Sequence, residues 1–252
     1  MKKILGLILC AGLMAFFLVP NRKITIWMCG DSTMSIKETK AYPETGWGMP
    51  FVYFWDSSVS VVNKAKNGRS TKTFISEGIW QSVIDHVQEG DYVIIEFGHN
   101  DESKDKKERY TTPDEYKTNL TRFITETKAK KGIPVLFTPV SRRKFDSTGH
   151  AIETHQEYSA LVREVAAGQN TPLIDLDKST LQMYDRLGKE TSKLLFLQLQ
   201  AGEHPNYPEG KEDNTHYSEL GARWVAQLAL VELKKFFPDL ASRTVVPVKK
   251  GS

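Results

Sequence analysis

The sequence predicts an α/β fold, namely a single three-layer, doubly wound domain with a five-stranded parallel sheet. Short apolar runs alternate along the chain with amphipathic segments of helical period, which is the pattern of βαβ units with right-handed crossovers. The run at residues 91–97 lacks the polar alternation of a half-exposed strand, and this indicates burial on both faces. The predicted strands are residues 24–29, 59–63, 91–97, 132–138 and 172–175.

The helices of the first half are predicted from caps and apolar spacing. Trp47 begins a short amphipathic segment that runs to residue 55. Ser70 or Thr71 is the predicted N-cap of the next helix, because both follow an Asn-Gly turn and precede apolar residues. A further helix at about 80–88 ends before Gly90.

In the second half, Thr112 followed by Pro113 opens a long helix to about residue 131, because proline at the first helical position sacrifices no hydrogen bond. We expect Cys29 and the stripe formed by Trp224, Leu228 and Val231 to lie in the core. The other predictions are helices at 153–169, 177–188 and 218–237, a short helical piece at 194–199, and loops at 99–112, 139–152 and 202–215.

Length and composition fit one globular domain, which we place at residues 21–252. The 252 residues are 40% hydrophobic and 26% charged, so neither disorder nor a wholly membrane-embedded protein is favoured. The net charge of +3 is small, and the lysines and arginines are scattered rather than gathered in one stripe. We therefore expect no nucleic-acid partner, and we expect a monomer.

Residues 1–20 differ in kind from the rest of the chain. Two lysines precede an apolar run, which is typical of a signal peptide or an N-terminal anchor. No A-x-A-like site precedes Asn21, and Leu9 is large for the residue before a lipidated Cys10. A cleaved signal, a retained anchor and a lipidated Cys10 all remain open. We expect an exported protein, periplasmic or extracellular, attached to a membrane only through this segment if at all.

The first predicted strand ends in a Gly30-Asp31-Ser32 corner, and Ser32 is the candidate nucleophile. Met34 stands where the nucleophile elbow G-x-S-x-G has its second glycine, so the chain is not an ordinary α/β-hydrolase. Taken alone, a Ser-Thr pair after a strand fits a helix N-cap better than a nucleophile. The catalytic interpretation therefore depends on partners elsewhere in the chain.

A nucleophilic serine needs a general base, an orienting carboxylate and hydrogen-bond donors for the oxyanion. Asp213 precedes His216 by three residues, and a carboxylate at that spacing in a turn can reach one imidazole nitrogen. Gly68 suits a backbone N–H donor and Asn100 a side-chain donor. The alternatives are a helix cap and a surface histidine for Asp213 and His216. For Gly68 the alternative is a plain Asn-Gly turn, and for Asn100 it is an Asx-turn.

Four blocks in this order resemble the SGNH (GDSL) esterases: Gly30-Asp31-Ser32, Asn63-x-Ala65-x-x-Gly68-Arg69-Ser70, Gly98-His99-Asn100-Asp101 and Asp213-x-x-His216. Gly46-Trp47-Gly48 and the histidine of the third block resemble the rhamnogalacturonan acetylesterase branch. The blocks span most of the chain. The resemblance implies a flavodoxin-like sheet, the catalytic residues Ser32, His216 and Asp213, and an oxyanion hole formed by Ser32, Gly68 and Asn100.

Three further residues are candidate substrate contacts. Arg69 could orient Asp31 or meet an acidic sugar, Trp47 could stack on a sugar face, and His99 flanks the candidate oxyanion donor. The alternatives are a solvated or paired arginine, a packed indole and a loop histidine.

The resemblance implies a serine esterase that removes O-acetyl groups from a polysaccharide, with acetylated pectic rhamnogalacturonan as substrate and an acyl-enzyme as intermediate. A deacetylase of xylan or of another O-acetylated glycan would need the same machinery, and a non-catalytic carbohydrate-binding protein is also an alternative. A glycosidase could use a carboxylate pair from Asp31, Glu96, Asp101 and Asp213. No C-x-x-C, H-E-x-x-H or phosphate-binding glycine loop is present, so no metal and no cofactor are expected.

Overall fold

Strand β1 lies in the interior of a five-stranded parallel sheet, and later strands are added on both sides of it. The computed structural model describes residues 23–246. The strands are β1 (Ile24–Gly30), β2 (Val59–Asn63), β3 (Tyr92–Glu96), β4 (Ile133–Phe137) and β5 (Leu173–Ile174). Their order is β2-β1-β3-β4-β5 with every pair parallel. This is the flavodoxin-like order, and it confirms the predicted fold class.

Helices cover both faces of this sheet. They are α1 (Gly48–Phe51), α2 (Thr71–Ser76), α3 (Ile79–Ile84), α4 (Pro113–Ala129), α5 (Gln156–Gly168), α6 (Leu176–Thr191), α7 (Glu219–Phe236) and α8 (Pro238–Ala241). The predicted start of α4 is confirmed: Thr112 accepts from the backbone of Glu115, whose carboxylate accepts from the backbone of Thr112. Ser70 caps α2 in the same reciprocal way.

Alternate residues of β1 separate two hydrophobic cores, because successive side chains of a strand point to opposite faces. Ile26 and Met28 pack in the core beneath α1, α6 and α7. Trp27 and Cys29 pack in the core beneath α2, α3, α4 and α5. Cys29 is fully buried, as predicted.

The segment before the last helix differs from the prediction. Of residues 194–199 only the first two are helical: a 3-10 helix (Ser192–Leu195) leads into strand β6 (Phe196–Leu199). The end of the predicted 202–215 loop belongs to strand β7 (Lys211–Tyr217), which pairs antiparallel with β6. The polar residues of β7 show no apolar alternation, so only the tertiary pairing with β6 identifies the strand.

The face that α7 buries also differs from the prediction. Trp224 and Val231 are 39% and 53% exposed, so the expected core stripe is wrong for these two residues. The helix instead buries a face of small residues, which lets it pack closely against the segment that precedes β6. At Gly221 an added Cβ would lie 1.9 Å from the carbonyl oxygen of Leu195. The fully buried side of α7 includes Ala222, Val225, Ala226, Ala229 and Leu233.

The carboxyl ends of β1, β2 and β3 bring three of the sequence blocks to one edge of the sheet. Ser32 follows β1, the Gly68 loop follows β2, and residues 98–101 follow β3. Strand β7 delivers His216 to the same edge. Within residues 23–246, none of the helices is both long and apolar enough to span a bilayer. The predicted leader at residues 1–20 lies outside the described residues.

Candidate active site

A chain of hydrogen bonds joins Ser32, His216 and Asp213. The Oγ of Ser32 lies 2.9 Å from Nε2 of His216, and Nδ1 of the same ring lies 2.8 Å from Oδ2 of Asp213. These residues are separated by as many as 184 positions in sequence, and only the fold brings them together. The arrangement has the geometry that lets an imidazole take a proton from a serine hydroxyl.

Asp213 holds the histidine through its other oxygen as well. Its Oδ1 accepts from the backbone N–H groups of Thr215 and His216, at 2.7 and 2.9 Å. Burial by itself raises the pKa of Asp213, but the hydrogen bonds from His216 and from the backbone outweigh it and hold the pKa well below its usual range. The carboxylate therefore stays ionised, and an ionised carboxylate fixes the tautomer that leaves Nε2 free to accept.

The corner that carries Ser32 is fixed by buried polar groups. Oδ1 of Asp31 accepts from the backbone and from the hydroxyl of Thr33, both at 2.9 Å. Lys37, almost fully buried, donates to the carbonyl oxygen of Ser32 at 2.5 Å and to Oδ1 of Asn67 at 2.9 Å. This lysine ties the nucleophile corner to the loop that carries Gly68.

Gly68 and Asn100 meet at the same edge. Gly68 has φ +75°, a left-handed conformation that glycine adopts without strain. The side-chain nitrogen of Asn100 donates to the carbonyl oxygen of Arg69, at 2.9 Å, which joins the β3 loop to the loop after β2. The structure therefore joins the three triad residues by hydrogen bonds and places Gly68 and Asn100 on two linked loops at the same edge of the sheet.

Two buried carboxyl groups, Asp31 and Glu96, lie behind the nucleophile. Burial alone raises the pKa of Asp31, but His99 and Thr33 outweigh it and hold the pKa at about 2. Burial and then the charge of Asp31 raise the pKa of Glu96 to about 8. Asp31 is thus ionised and Glu96 protonated at neutral pH. Both are buried, as is Asp101, so these three carboxyls cannot flank a glycosidic bond.

His99 is part of a buried pair. Its Nδ1 lies 3.5 Å from Oδ2 of Asp31, and its Nε2 lies 3.1 Å from Nε2 of His155. Nδ1 of His155 lies 2.9 Å from Oε1 of Glu102. His99 is only 5% exposed and both ring nitrogens face protein groups, so the structure gives a buried role for this residue and leaves the substrate contact a prediction.

Trp47 also lies in the core. Its ring is stacked on Phe137, its edge meets Phe51, and its Nε1 donates to Oε2 of Glu96 at 2.8 Å. The indole is fully buried, so the expected stacking on a sugar is wrong, and the packing alternative is right. The Gly-Trp-Gly motif therefore contacts Glu96, which lies behind the corner that carries Ser32.

Arg69 remains at the surface beside the site. Its Nε donates to Oε2 of Glu77 at 3.0 Å, and its Nη1 donates to the carbonyl oxygen of Asn67 at 2.8 Å. The guanidinium is thus paired rather than free, which corresponds to the paired alternative. The structure gives Arg69 no contact with Asp31.

Four residues that organise this site carry no recognisable signal in the sequence: Lys37, Arg109, His155 and Glu102. Each lies in a polar run whose composition resembles that of any solvated loop, so no local signal distinguishes them. Among residues 23–246, no group of three or more His, Cys, Asp or Glu side chains could hold a metal ion.

Most of this chain is similar in sequence to two proteins of Bacillus subtilis. The rhamnogalacturonan acetylesterase RhgT of Bacillus subtilis (strain 168) is 41% identical over 208 residues, which are 82% of this chain and 88% of the relative. The probable rhamnogalacturonan acetylesterase YesY of the same organism is 32% identical over 211 residues, 83% of this chain and 92% of the relative.

Among solved structures, the crystal structure of the protein YxiM from Bacillus subtilis matches with a TM-score of 0.74 and 27% identity. The match covers 86% of this chain and 58% of that chain, so the described fold corresponds to about half of the larger protein. The family model for the GDSL-like Lipase/Acylhydrolase family matches residues 29–224. This chain belongs to the GDSL-like lipase/acylhydrolase family.

Proposed function

We propose that this protein is a serine esterase that removes O-acetyl groups from acetylated rhamnogalacturonan. One observation carries the proposal: the continuous hydrogen-bonded chain from Ser32 through His216 to Asp213. A serine that merely capped a helix would not need an imidazole at 2.9 Å backed by an ionised carboxylate. Membership of an acylhydrolase family supports a carboxylic ester as the bond that is cleaved.

The chemistry proceeds in two halves. Ser32 Oγ attacks the acetyl carbonyl carbon while His216 Nε2 takes its proton, and Asp213 stabilises the imidazolium that forms. The carbonyl oxygen becomes an oxyanion, for which the donors are the backbone N–H groups of Ser32 and Gly68 and the side chain of Asn100. The intermediate collapses, His216 gives the proton to the departing sugar oxygen, and acetyl-Ser32 remains. Water, deprotonated by His216, then attacks the acetyl carbon. Acetate leaves as the bond to Ser32 Oγ breaks and His216 returns the proton to this oxygen.

The choice of rhamnogalacturonan rests on the relatives. Two proteins named for this activity align with more than four fifths of the chain, one of them at 41% identity. Xylan and other O-acetylated glycans carry the same ester, and they remain the second candidate substrates. The Gly-Trp-Gly motif does not discriminate between these sugars, because Trp47 is buried.

We also propose that the protein is exported and acts as a monomer. The basic start and apolar run of residues 1–20 support export, and the substrate, a plant-type polysaccharide, lies outside cells. Fractionation of producing cells, with detection of the protein in the medium, periplasm or membrane, tests this proposal. Detection in the cytoplasm alone would contradict it.

The experiment that tests the function is a measurement of acetate release from acetylated rhamnogalacturonan and acetylated xylan. Wild type, Ser32→Ala and the surface control Ser76→Ala are compared, with reducing sugar measured in parallel. We expect acetate from rhamnogalacturonan for wild type and Ser76→Ala, little from Ser32→Ala, and no reducing sugar. Faster release from xylan would reassign the substrate. Reducing sugar without acetate would identify a glycosidase, and binding without turnover would identify a carbohydrate-binding protein.

A further inference from the structure

Arg109 contacts two of the proposed oxyanion-hole residues at once. Its Nη1 donates to Oδ1 of Asn100 at 2.8 Å and lies 3.5 Å from the carbonyl oxygen of Gly68. A Cβ added to Gly68 would lie 3.2 Å from the same nitrogen, so the guanidinium packs directly against this glycine. One cation thus joins the loop after β2 to the loop after β3.

Arg109 also completes the hydrogen bonding that fixes the Asn100 amide. An asparagine side chain has one carbonyl acceptor and two N–H donors. One N–H donates to the carbonyl oxygen of Arg69, and the carbonyl accepts from Arg109. Because a guanidinium only donates and a backbone carbonyl only accepts, the amide can take one orientation. Its second N–H makes no hydrogen bond within residues 23–246 and is therefore available to a ligand.

The loop that carries Arg109 is closed at its base, which returns the guanidinium to the site. The backbone N–H of Thr111 donates to the carbonyl oxygen of Asp101 at 3.0 Å, and the Thr111 hydroxyl donates to its carboxylate at 3.0 Å. The same carboxylate accepts from the backbone and the hydroxyl of Thr71, at the start of α2. Asp101 therefore links the start of α2 to the end of the loop that carries Arg109.

We propose that Arg109 is a positioning residue for the oxyanion hole, an inference that rests on the proposed esterase function. It holds Asn100 in the orientation that presents the free N–H, and its charge polarises the amide, which makes that N–H a stronger donor. Arg109 acts through Asn100 and does not contact the substrate. Its effect belongs to the transition state, where the negative charge develops, rather than to substrate binding.

The test is a double-mutant cycle on the hydrolysis of p-nitrophenyl acetate, a substrate that makes no demand on sugar recognition. The variants are Arg109→Ala, Asn100→Ala and the double variant, with Arg109→Lys as the conservative form. Lys107→Ala is the matched control, since it removes an exposed positive charge from the same loop. Every kcat is normalised to active sites titrated with an organophosphate, so that misfolded protein does not count.

For Arg109→Ala we expect kcat to fall about 10- to 100-fold, somewhat less than the loss when an oxyanion donor itself is removed. KM should change less than about twofold, because Arg109 does not contribute to binding of the substrate in its ground state. Arg109→Lys should recover part of kcat, and Lys107→Ala should match wild type. In the Asn100→Ala background, removal of the Arg109 side chain should not lower kcat any further.

Three results would overturn the inference. A rise in KM at constant kcat would make Arg109 a substrate contact. An equal loss in the presence and absence of the Asn100 amide would show that Arg109 acts elsewhere, for example by holding the loop. Unchanged kcat in Arg109→Ala would remove the role altogether. Hydrolysis absent from wild type would instead contradict the esterase function itself, so the two failures are distinguishable.

Discussion

Nε2 of His99 and Nε2 of His155 lie 3.1 Å apart inside the protein, with both rings buried. The pair connects Asp31, next to the nucleophile, with Glu102. A hydrogen bond between two ring nitrogens needs one donor and one acceptor, so one Nε2 carries a hydrogen and the other accepts it. The structure thus places a buried titratable group, His99, directly behind the catalytic corner.

His99 makes the stability of the fold depend on pH. Burial, and then the charge of His155, lower its pKa from 6.5 to about 4, against the opposing effect of Asp31. Between these values the unfolded chain binds a proton that the folded chain does not, so stability falls as the pH falls from 6.5 towards 4. The loss from this fully buried group is about 3 kcal/mol at most, at 1.36 kcal/mol per pKa unit.

Urea unfolding of wild type and His99→Gln between pH 4.5 and 7 measures this contribution. We expect wild type to lose more stability than the variant on acidification, so that the difference between them narrows at low pH. The exposed His86→Gln is the control and should follow wild type. Parallel stability curves for wild type and His99→Gln would contradict the assignment.

Ser32 and His216 should behave as one catalytic unit. Ser32→Ala and His216→Ala should each lower kcat by several orders of magnitude, because each removes an essential step of the same proton transfer. The double variant should be little worse than either single variant. Steady-state kinetics on p-nitrophenyl acetate provide the measurement. Losses that multiply in the double variant would show that the two residues act separately.

Trp47 should matter for stability and not for substrate binding. Trp47→Phe removes the donor to Glu96 and leaves a buried oxygen unpaired, which costs about 1–3 kcal/mol. Denaturant unfolding and KM on acetylated oligosaccharides test the two effects. The partly exposed Trp224→Phe serves as the control and should change neither. A KM that rises in Trp47→Phe without a loss of stability would restore the sugar-contact interpretation.

A chelator should leave the activity unchanged. The described residues 23–246 contain no cluster of potential metal ligands, and the Asp213–His216 pair is already engaged with Ser32. Acetate release after dialysis against EDTA should equal that of untreated enzyme. Inhibition that zinc or another divalent cation reversed would assign a metal to this pair.

The sequence predicted the fold and the site correctly where a local pattern of residues determines the structure. The apolar runs of β1 and β3, the Thr112–Pro113 helix start and the four blocks predicted both the sheet and the residues that meet at its edge. Prediction failed where tertiary contact decides. The polar strand β7 exists only because β6 pairs with it, and α7 turns its small residues inward because Gly221 packs against Leu195.

The burial of polar side chains is the second feature that could not be predicted from the sequence. His99 and Trp47 occur in motifs that resemble a binding surface, and only their packing against His155 and Phe137 shows that they lie behind it. Conversely, Lys37 and Arg109 occur in charged runs that resemble solvated loops. Their roles depend on distant partners, Asn67 and Asn100, which no spacing in the sequence indicates.

The proposed mechanism requires the hydroxyl of Ser32 to be the nucleophile. Its most direct test is peptide mapping by mass spectrometry after stepwise reaction with a serine-directed organophosphate, with acetate release from acetylated rhamnogalacturonan measured at each step. We expect one phosphoryl group per chain, on Ser32, and activity that falls in proportion to its modification. Full activity after Ser32 is modified, or a label on another residue that tracks the loss, would contradict the account.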